Sequence, residues 1–208
     1  MARRSRARST AAHYLTGVKH LYSTTQALAA GDCVIAPPRI RDSQFAKSVI
    51  LLTNQRAGGD FGLCLNRPSG HTLGDLSLEL DCDLEDDIPL YWGGPVGTQT
   101  IWMLHTPEWS VDQTVKINRD WSMTSHQSMF HHLADGDRPD YFRMTFGFCG
   151  WARGQLKSEL EGQPPYSVDS SWLVWQQTTS DILTLPPEEL WRISCEQSSH
   201  QAVNNWMS

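Results

Sequence analysis

Between Gly31 and Pro68 the chain reads GDCVIAPPRIRDSQFAKSVILLTNQRAGGDFGLCLNRP, and its apolar positions gather in two runs, Val49-Ile50-Leu51-Leu52 and Phe61-Gly62-Leu63-Cys64-Leu65. The turn-rich segment 53–60, with Ala57-Gly58-Gly59-Asp60 inside it, joins them. This pattern predicts a buried hairpin that empties into Asn66-Arg67-Pro68. Before it, Cys33-Val34-Ile35-Ala36 reads as a first strand stopped by Pro37-Pro38, because proline cannot continue a ladder. Earlier still, Tyr14, Leu15, Val18, Leu21 and Tyr22 fall at roughly helical spacing and predict a short helix docked on the body.

After Pro68 the pattern alternates between short helices and strands. Thr72 can cap a helix in which Leu73, Leu76 and Leu80 share a face. Leu90-Tyr91-Trp92, the run 101–105, the alternation of Val111, Gln113, Val115 and Ile117, and the run 121–124 all read as strands. A helix follows from Ser125 through Leu133, ended by Asp135-Gly136. The run 141–149 is strongly β-prone and interrupted by Gly147; it leads into Gly150-Trp151 and a helix through Leu160. A late strand covers 171–175. Pro186-Pro187-Glu188-Glu189 opens a final helix carrying Leu190, Trp191 and Ile193, since proline is tolerated in a first turn and acids suit its dipole. Strands and helices mix without regular βα alternation, and no linker divides the body, so the pattern predicts one α+β domain over 31–208.

Composition adds little to that picture except at the amino terminus. With 208 residues the chain can bury roughly 70% of its unfolded surface, enough to need neither disulfide nor metal staple. Nine tryptophans stand against five tyrosines, and several are expected in the core. Residues 1–31 carry Arg3, Arg4, Arg6, Arg8 and Lys19 with no acid, whereas the remainder holds 12 basic and 23 acidic residues. An acidic body argues against a phosphate-tracking surface, so direct nucleic-acid binding is not expected outside the tail. Residues 1–30 are read as a basic flexible tail and short helix, whose Arg-, Ser- and Ala-rich start has the composition of a transit peptide and equally that of a disordered start. No apolar run approaches a membrane span. Cys33, Cys64, Cys82, Cys149 and Cys195 are odd in number and never spaced as CxxC, which predicts free thiols in a reducing compartment.

Candidate chemistry is sparse. The acidic loop DCDLEDD places Asp81, Asp83 and Glu85 at alternate positions, but an EF-hand would need Gly where Asp86 stands and Glu where Trp92 stands, so a solvated loop is expected. His126, His131 and His132 lie in one predicted helix at spacings unlike a HExxH pair, and no metal or cofactor is expected. Cys149 could sit where a strand hands over to a helix and act as a nucleophile; a buried small hydrophobe is the alternative. Hydrolase, nucleotide and dinucleotide motifs are absent. Three glycine- or proline-marked strand ends remain: Asn66-Arg67-Pro68, Gly93-Gly94-Pro95, and Gly150-Trp151 with Gly154-Gln155. If they converge, Arg67 and the N–H groups around Gly93 and Gly94 form an anion-binding concavity, with Asn66, Trp151 and Gln155 beside them. The alternative is that each is only a tight turn.

Read together, these stretches resemble the YqgE/AlgH family, also called UPF0301 or DUF179. The resemblance rests on Ile35-Ala36-Pro37, Phe45 with Ser48-Val49, Gly59 with Gly62-Leu63 and Leu65-Asn66-Arg67-Pro68, then Gly93-Gly94-Pro95-Val96, Leu104-His105, and Gly147-Phe148-Cys149-Gly150-Trp151 with Gly154-Gln155-Leu156 and Glu159-Leu160. Trp172-Leu173 and Trp191 extend it, so it runs in unbroken order from about Gly31 to Trp191. Phe148 stands where the family usually has tyrosine, Cys149 where a small residue is common, and Lys157-Ser158 replaces a more acidic pair.

The resemblance implies a single α+β domain with a strongly bent, partly barrel-like mixed sheet flanked by helices. It also implies a bacterial cytoplasmic protein with relatives in plastids, and an organellar location if the Arg-rich start is a transit peptide. One branch of the family carries a transcriptional-regulator label, yet no helix-turn-helix with a basic recognition face is visible. The expectation is therefore a non-enzymatic regulatory or binding protein whose partner is a small anionic ligand or another protein. The alternative is an enzyme acting on a small anionic substrate through Cys149 or His105.

Overall fold

A computed structural model describes residues 28–56, 58–80, 82–84, 87–167, 171–176 and 178–207. The tail and short helix expected within residues 1–27 lie outside them. Among the described residues ten strands form one curled sheet: β1 (Cys33–Ile35), β2 (Val49–Arg56), β3 (Gly59–Cys64), β4 (Pro68–Thr72), β5 (Pro89–Trp92), β6 (Val96–His105), β7 (Val115–Lys116), β8 (Ser122–Thr124), β9 (Phe142–Ala152) and β10 (Leu173–Trp175). The main path runs β10-β1-β2-β3-β9-β6-β8-β7, with β4 paired to β5 and β5 to β9. Among the described residues only the β5–β9 pairing is parallel, which makes the sheet mixed as expected. Four helices accompany it among the described residues: α1 (Ser77–Leu80), α2 (Ser128–Ala134), α3 (Gln155–Glu161) and α4 (Pro187–Met207).

The β2/β3 hairpin forms as predicted and is longer than the turn-rich sequence between its halves suggests. Gln55 pairs with Asp60 and Arg56 with Gly59, while a shift between Leu52 and Asn54 absorbs one residue as a bulge. Its continuous apolar runs have a physical reason. Cys33, Ile35, Val49, Leu51, Leu63 and Leu65 pack on one side with Leu104, Trp121, Leu183 and Leu190. Val34, Ala36, Ile50, Leu52 and Cys64 pack on the other with Cys149, Trp151, Leu156 and Trp172. Strands covered on both faces show no polar alternation.

Strand β9 is the hub. Its first half lies between β6 and β5, with Met144 opposite both Met103 and Leu90, and its second half pairs with β3 through Cys149 and Trp151. Gly147, expected to break the run, instead lets one strand serve both halves by adopting φ 68°. Two readings need correction. The alternation at 111–117 is not a strand but a turn, in which the Thr114 N–H donates to the Val111 carbonyl and Gln113 takes φ 59°; only Val115–Lys116 pair. Pro68 does not end the hairpin in a loop but starts β4, with Pro68 opposite Tyr91 at a position where its missing N–H costs no sheet bond.

Candidate functional site

The exit of β3 is pinned by the Asn66 side chain. Its Oδ1 accepts the Val49 N–H at 2.8 Å, and its Nδ2 donates to the Lys47 carbonyl at 2.7 Å and the Pro187 carbonyl at 3.3 Å. Lys47 holds φ 58°, a conformation a residue with a Cβ adopts at a cost, so the Asn66 amide braces a strained corner against the start of α4. The first residue of the candidate site is thus fully occupied in holding the fold together.

Arg67 is placed differently. Its guanidinium lies 5.0 Å above the Trp92 ring, and Nη2 donates to the Ser43 carbonyl at 3.0 Å. Nη1 is buried and has no acceptor. Among the described residues no carboxylate forms an ion pair with it. A charged donor sealed from water without a partner is costly, and an incoming anion can supply what is missing.

Gly93 and Gly94 serve close packing. The Gly93 N–H donates to the Phe146 carbonyl at 2.8 Å, and its carbonyl accepts the Cys64 N–H at 2.9 Å and the Cys149 thiol at 3.3 Å. The Gly93 amide expected to face an anion is therefore committed to the sheet. Gly94, at φ 155°, lies so near β9 that a Cβ there would stand 2.0 Å from the Phe148 carbonyl carbon.

Trp151 and Gln155 converge on a third group, Glu159 on α3. Its Oε2 accepts the indole N–H of Trp151 at 3.1 Å and of Trp172 at 2.8 Å, and its Oε1 accepts Gln155 Nε2 at 2.8 Å. Gln155 Oε1 in turn accepts the Ala152 N–H at 2.9 Å. The three stretches do meet on one face of the sheet, through a run of ring contacts from Trp92 to Phe45 (6.0 Å), Phe45 to Trp172 (5.9 Å) and Trp172 to Trp151 (6.3 Å). Those rings fill the space where a concavity was expected. Arg67 stands at one end of the aromatic band and Glu159 at the other.

The two residues considered for catalysis are sealed. Cys149 lies within β9 rather than at a strand-to-helix handover, and burial pushes its thiol well up, with the Arg67 charge opposing only weakly. That is the reverse of what an activated nucleophile requires. Burial likewise raises Cys33 to about 12 and Cys195 to about 11. His105 has no exposed surface; its Nδ1 is 2.8 Å from the Thr106 carbonyl, which makes Nδ1 the donor, and Nε2 is left buried without a partner. Burial lowers its pKa below 6.5 despite that carbonyl and Glu108. The three histidines expected in one helix are not all on it: His126 lies before α2 and bonds to Ser128, while His131 and His132, within α2, turn to Cys82 at 3.1 Å and Asp137 at 2.7 Å. Among the described residues no three His, Cys, Asp or Glu side chains are placed to hold a metal, and no helix is long and apolar enough to cross a membrane.

His105 carries a pH prediction. A histidine whose native pKa is depressed binds its proton more weakly folded than unfolded, so its contribution is complete above about pH 6.5 and is lost as pH falls below that value. The melting temperature of the protein is expected to drop between pH 7 and pH 5 more steeply than that of His105→Gln, by at most about one proton in the slope. Parallel Tm–pH curves would show that the group titrates normally.

One buried charged residue, on the opposite face of β5 from Trp92, is hard to find by pattern. Arg143 occupies an inward position of β9, where Nη1 donates to the Leu65 carbonyl at 2.5 Å and Nη2 to the Leu183 carbonyl at 2.7 Å, and its guanidinium stacks 4.4 Å from the Tyr91 ring. The only sequence signal is a charge interrupting the β-prone run Phe142 to Phe146.

Comparison with known proteins agrees with this architecture. The AlgH-like family profile (DUF179) matches residues 33–202. A UPF0301 protein of Methylococcus capsulatus is 29% identical over 171 residues, 80% of this chain and 87% of that one. Another, from Bordetella petrii, is 32% identical over 160 residues, 75% of this chain and 76% of its own. The solution structure of the AlgH protein from Pseudomonas aeruginosa superposes with TM-score 0.66 at 27% identity, covering 95% of this chain and 92% of that chain. A crystal structure from Corynebacterium diphtheriae shares the fold, with TM-score 0.60 at 23% identity over 80% of this chain and 85% of the other. Both the matched length and the order of the signature stretches from β1 to α4 lead to one assignment: the chain belongs to the AlgH-like family, DUF179.

Proposed function

We propose that the protein is a non-enzymatic binding protein that presents Arg67, stacked on Trp92, to the anionic group of a small ligand or partner protein. The observation that carries this reading is the buried Nη1 of Arg67, which has no acceptor while the rest of the guanidinium is held in place by Ser43 and the indole face. Such a group is pre-oriented and already desolvated, so an anion that reaches it gains a charge-assisted hydrogen bond without first ordering the side chain. The adjoining Phe45 and Trp92, both half-buried, offer apolar surface to whatever carries the anion. A regulatory role in this reading runs through that contact rather than through DNA, because the body of the chain is acidic.

The test is a thermal-shift screen against phosphorylated and carboxylated metabolites. A stabilising compound is expected, and Arg67→Ala is expected to remove its effect while costing only about 1 kcal/mol of stability, since the lost hydrogen bond and cation–π contact are offset by removal of a buried donor that has no acceptor. An undiminished response in Arg67→Ala would sink the assignment.

A further inference from the structure

Strand β5 carries two arginine–aromatic stacks on opposite faces. Trp92 lies under Arg67 on one, and its neighbour Tyr91 lies under Arg143 on the other. The second stack borders a cavity of about 270 Å³ lined by Tyr91, Arg143, Met144 and Leu183, with the exposed Asp87 and Arg138 on its solvent side. We infer that this cavity is a second ligand site, distinct from the Arg67 surface, and that it takes a compact oxyanion, the carboxylate or phosphate group of a small molecule.

Charge balance is the first argument. Arg143 is 6% exposed, yet among the described residues no carboxylate pairs with it; its two bonds go to neutral carbonyls. A buried cation held only by dipoles lacks a counter-charge, and proteins almost always provide one. The second argument is geometry. The two carbonyls engage one N–H on each amino group and leave three of the five donors of the guanidinium with no protein acceptor among the described residues. Anchored from behind by Leu65 and Leu183 and in front by the Tyr91 ring, the group cannot swing away, so an anion would meet a donor array already in place. Burial also lowers the Arg143 pKa, a direction that a bound anion would reverse. Size sets the ligand class, because at about 270 Å³ the cavity lies just below the usual range of small-molecule sites, which run from roughly 300 Å³ upward.

The site can be examined by titrating the full chain with sodium phosphate and, in parallel, with succinate, following the Arg143 Nε–H and the Tyr91 and Met144 amides by nitrogen-resolved NMR. Saturable shifts centred on those groups are expected, and whichever titrant saturates at lower concentration identifies the source of the oxyanion. Arg143→Met should weaken binding about 30-fold or more, the loss that follows truncation of one partner of a buried charge pair. Because that variant also strands two carbonyls and can fail to fold, Pro89→Phe carries the test as well: it narrows the mouth from an exposed position and leaves the Arg143 clamp intact, and it should abolish the saturable shifts. Saturable binding that survives Pro89→Phe, shifts that stay linear in concentration, or shifts centred on Arg67 would each overturn the inference. Arg67→Ala separates the two sites: the Arg143 shifts should persist in it unchanged, and their disappearance there would overturn the second site while leaving the Arg67 reading intact.

Discussion

Gly94→Ala is expected to leave little soluble folded protein. At φ 155° an L-residue is strained, at about 1–3 kcal/mol, and the added Cβ would lie 2.0 Å from the Phe148 carbonyl carbon and 2.4 Å from the Cys149 nitrogen. Backbone of the central strand cannot yield as a side-chain tip can, so an overpacking cost of similar size adds to the strain and brings the total to about 4 kcal/mol or more. That is a large share of a domain's usual stability of about 5–15 kcal/mol. Gly70→Ala is the control. It also has positive φ, 85°, but nothing lies within 4 Å of its Cβ, and only the conformational cost of about 1 kcal/mol should appear. Urea unfolding of both variants decides the matter, since equal losses would mean that the close approach at Gly94 is not required.

Asn66→Ala should be nearly as damaging, by about 3 kcal/mol or more, because three hydrogen bonds disappear and a buried Val49 N–H is left without an acceptor. The strain at Lys47 is then unopposed and the tie to the first turn of α4 is cut. Chemical unfolding measures this directly. A variant that kept its stability and lost only a ligand response would place Asn66 among the binding residues instead, so the same experiment separates the two roles of the signature.

These two positions show why the fold was easier to read than the site. The hairpin was legible because Val49 to Leu52 and Leu63 to Leu65 are buried on both faces, which leaves an uninterrupted apolar trace in the sequence. The turn at 111–114 was misread for the opposite reason: Val111, Val115 and Ile117 do alternate, but Thr114 bonds locally to Val111 and bends the chain before a ladder can form. At the site, convergence of the three marked stretches was foreseeable and its content was not. A glycine that lets two backbones touch leaves the same letter in the sequence as one that cradles an anion, and only the partner of the Gly93 N–H tells them apart. Arg143 was missed because periodicity treats a charge inside a strand as noise, whereas the carbonyls that hold it come from Leu65 and Leu183, far away in the chain.

The position of β9 as hub also bears on synthesis. Strands β3, β5 and β6 are all complete on the ribosome before residue 142 has been added, yet each of them needs β9 as a neighbour. Until then three hydrophobic edges wait without partners, a state that favours pairing with other chains. The sheet accordingly closes only once the chain's last third is made, and a chain ending before Ala152 lacks the strand that joins its two halves.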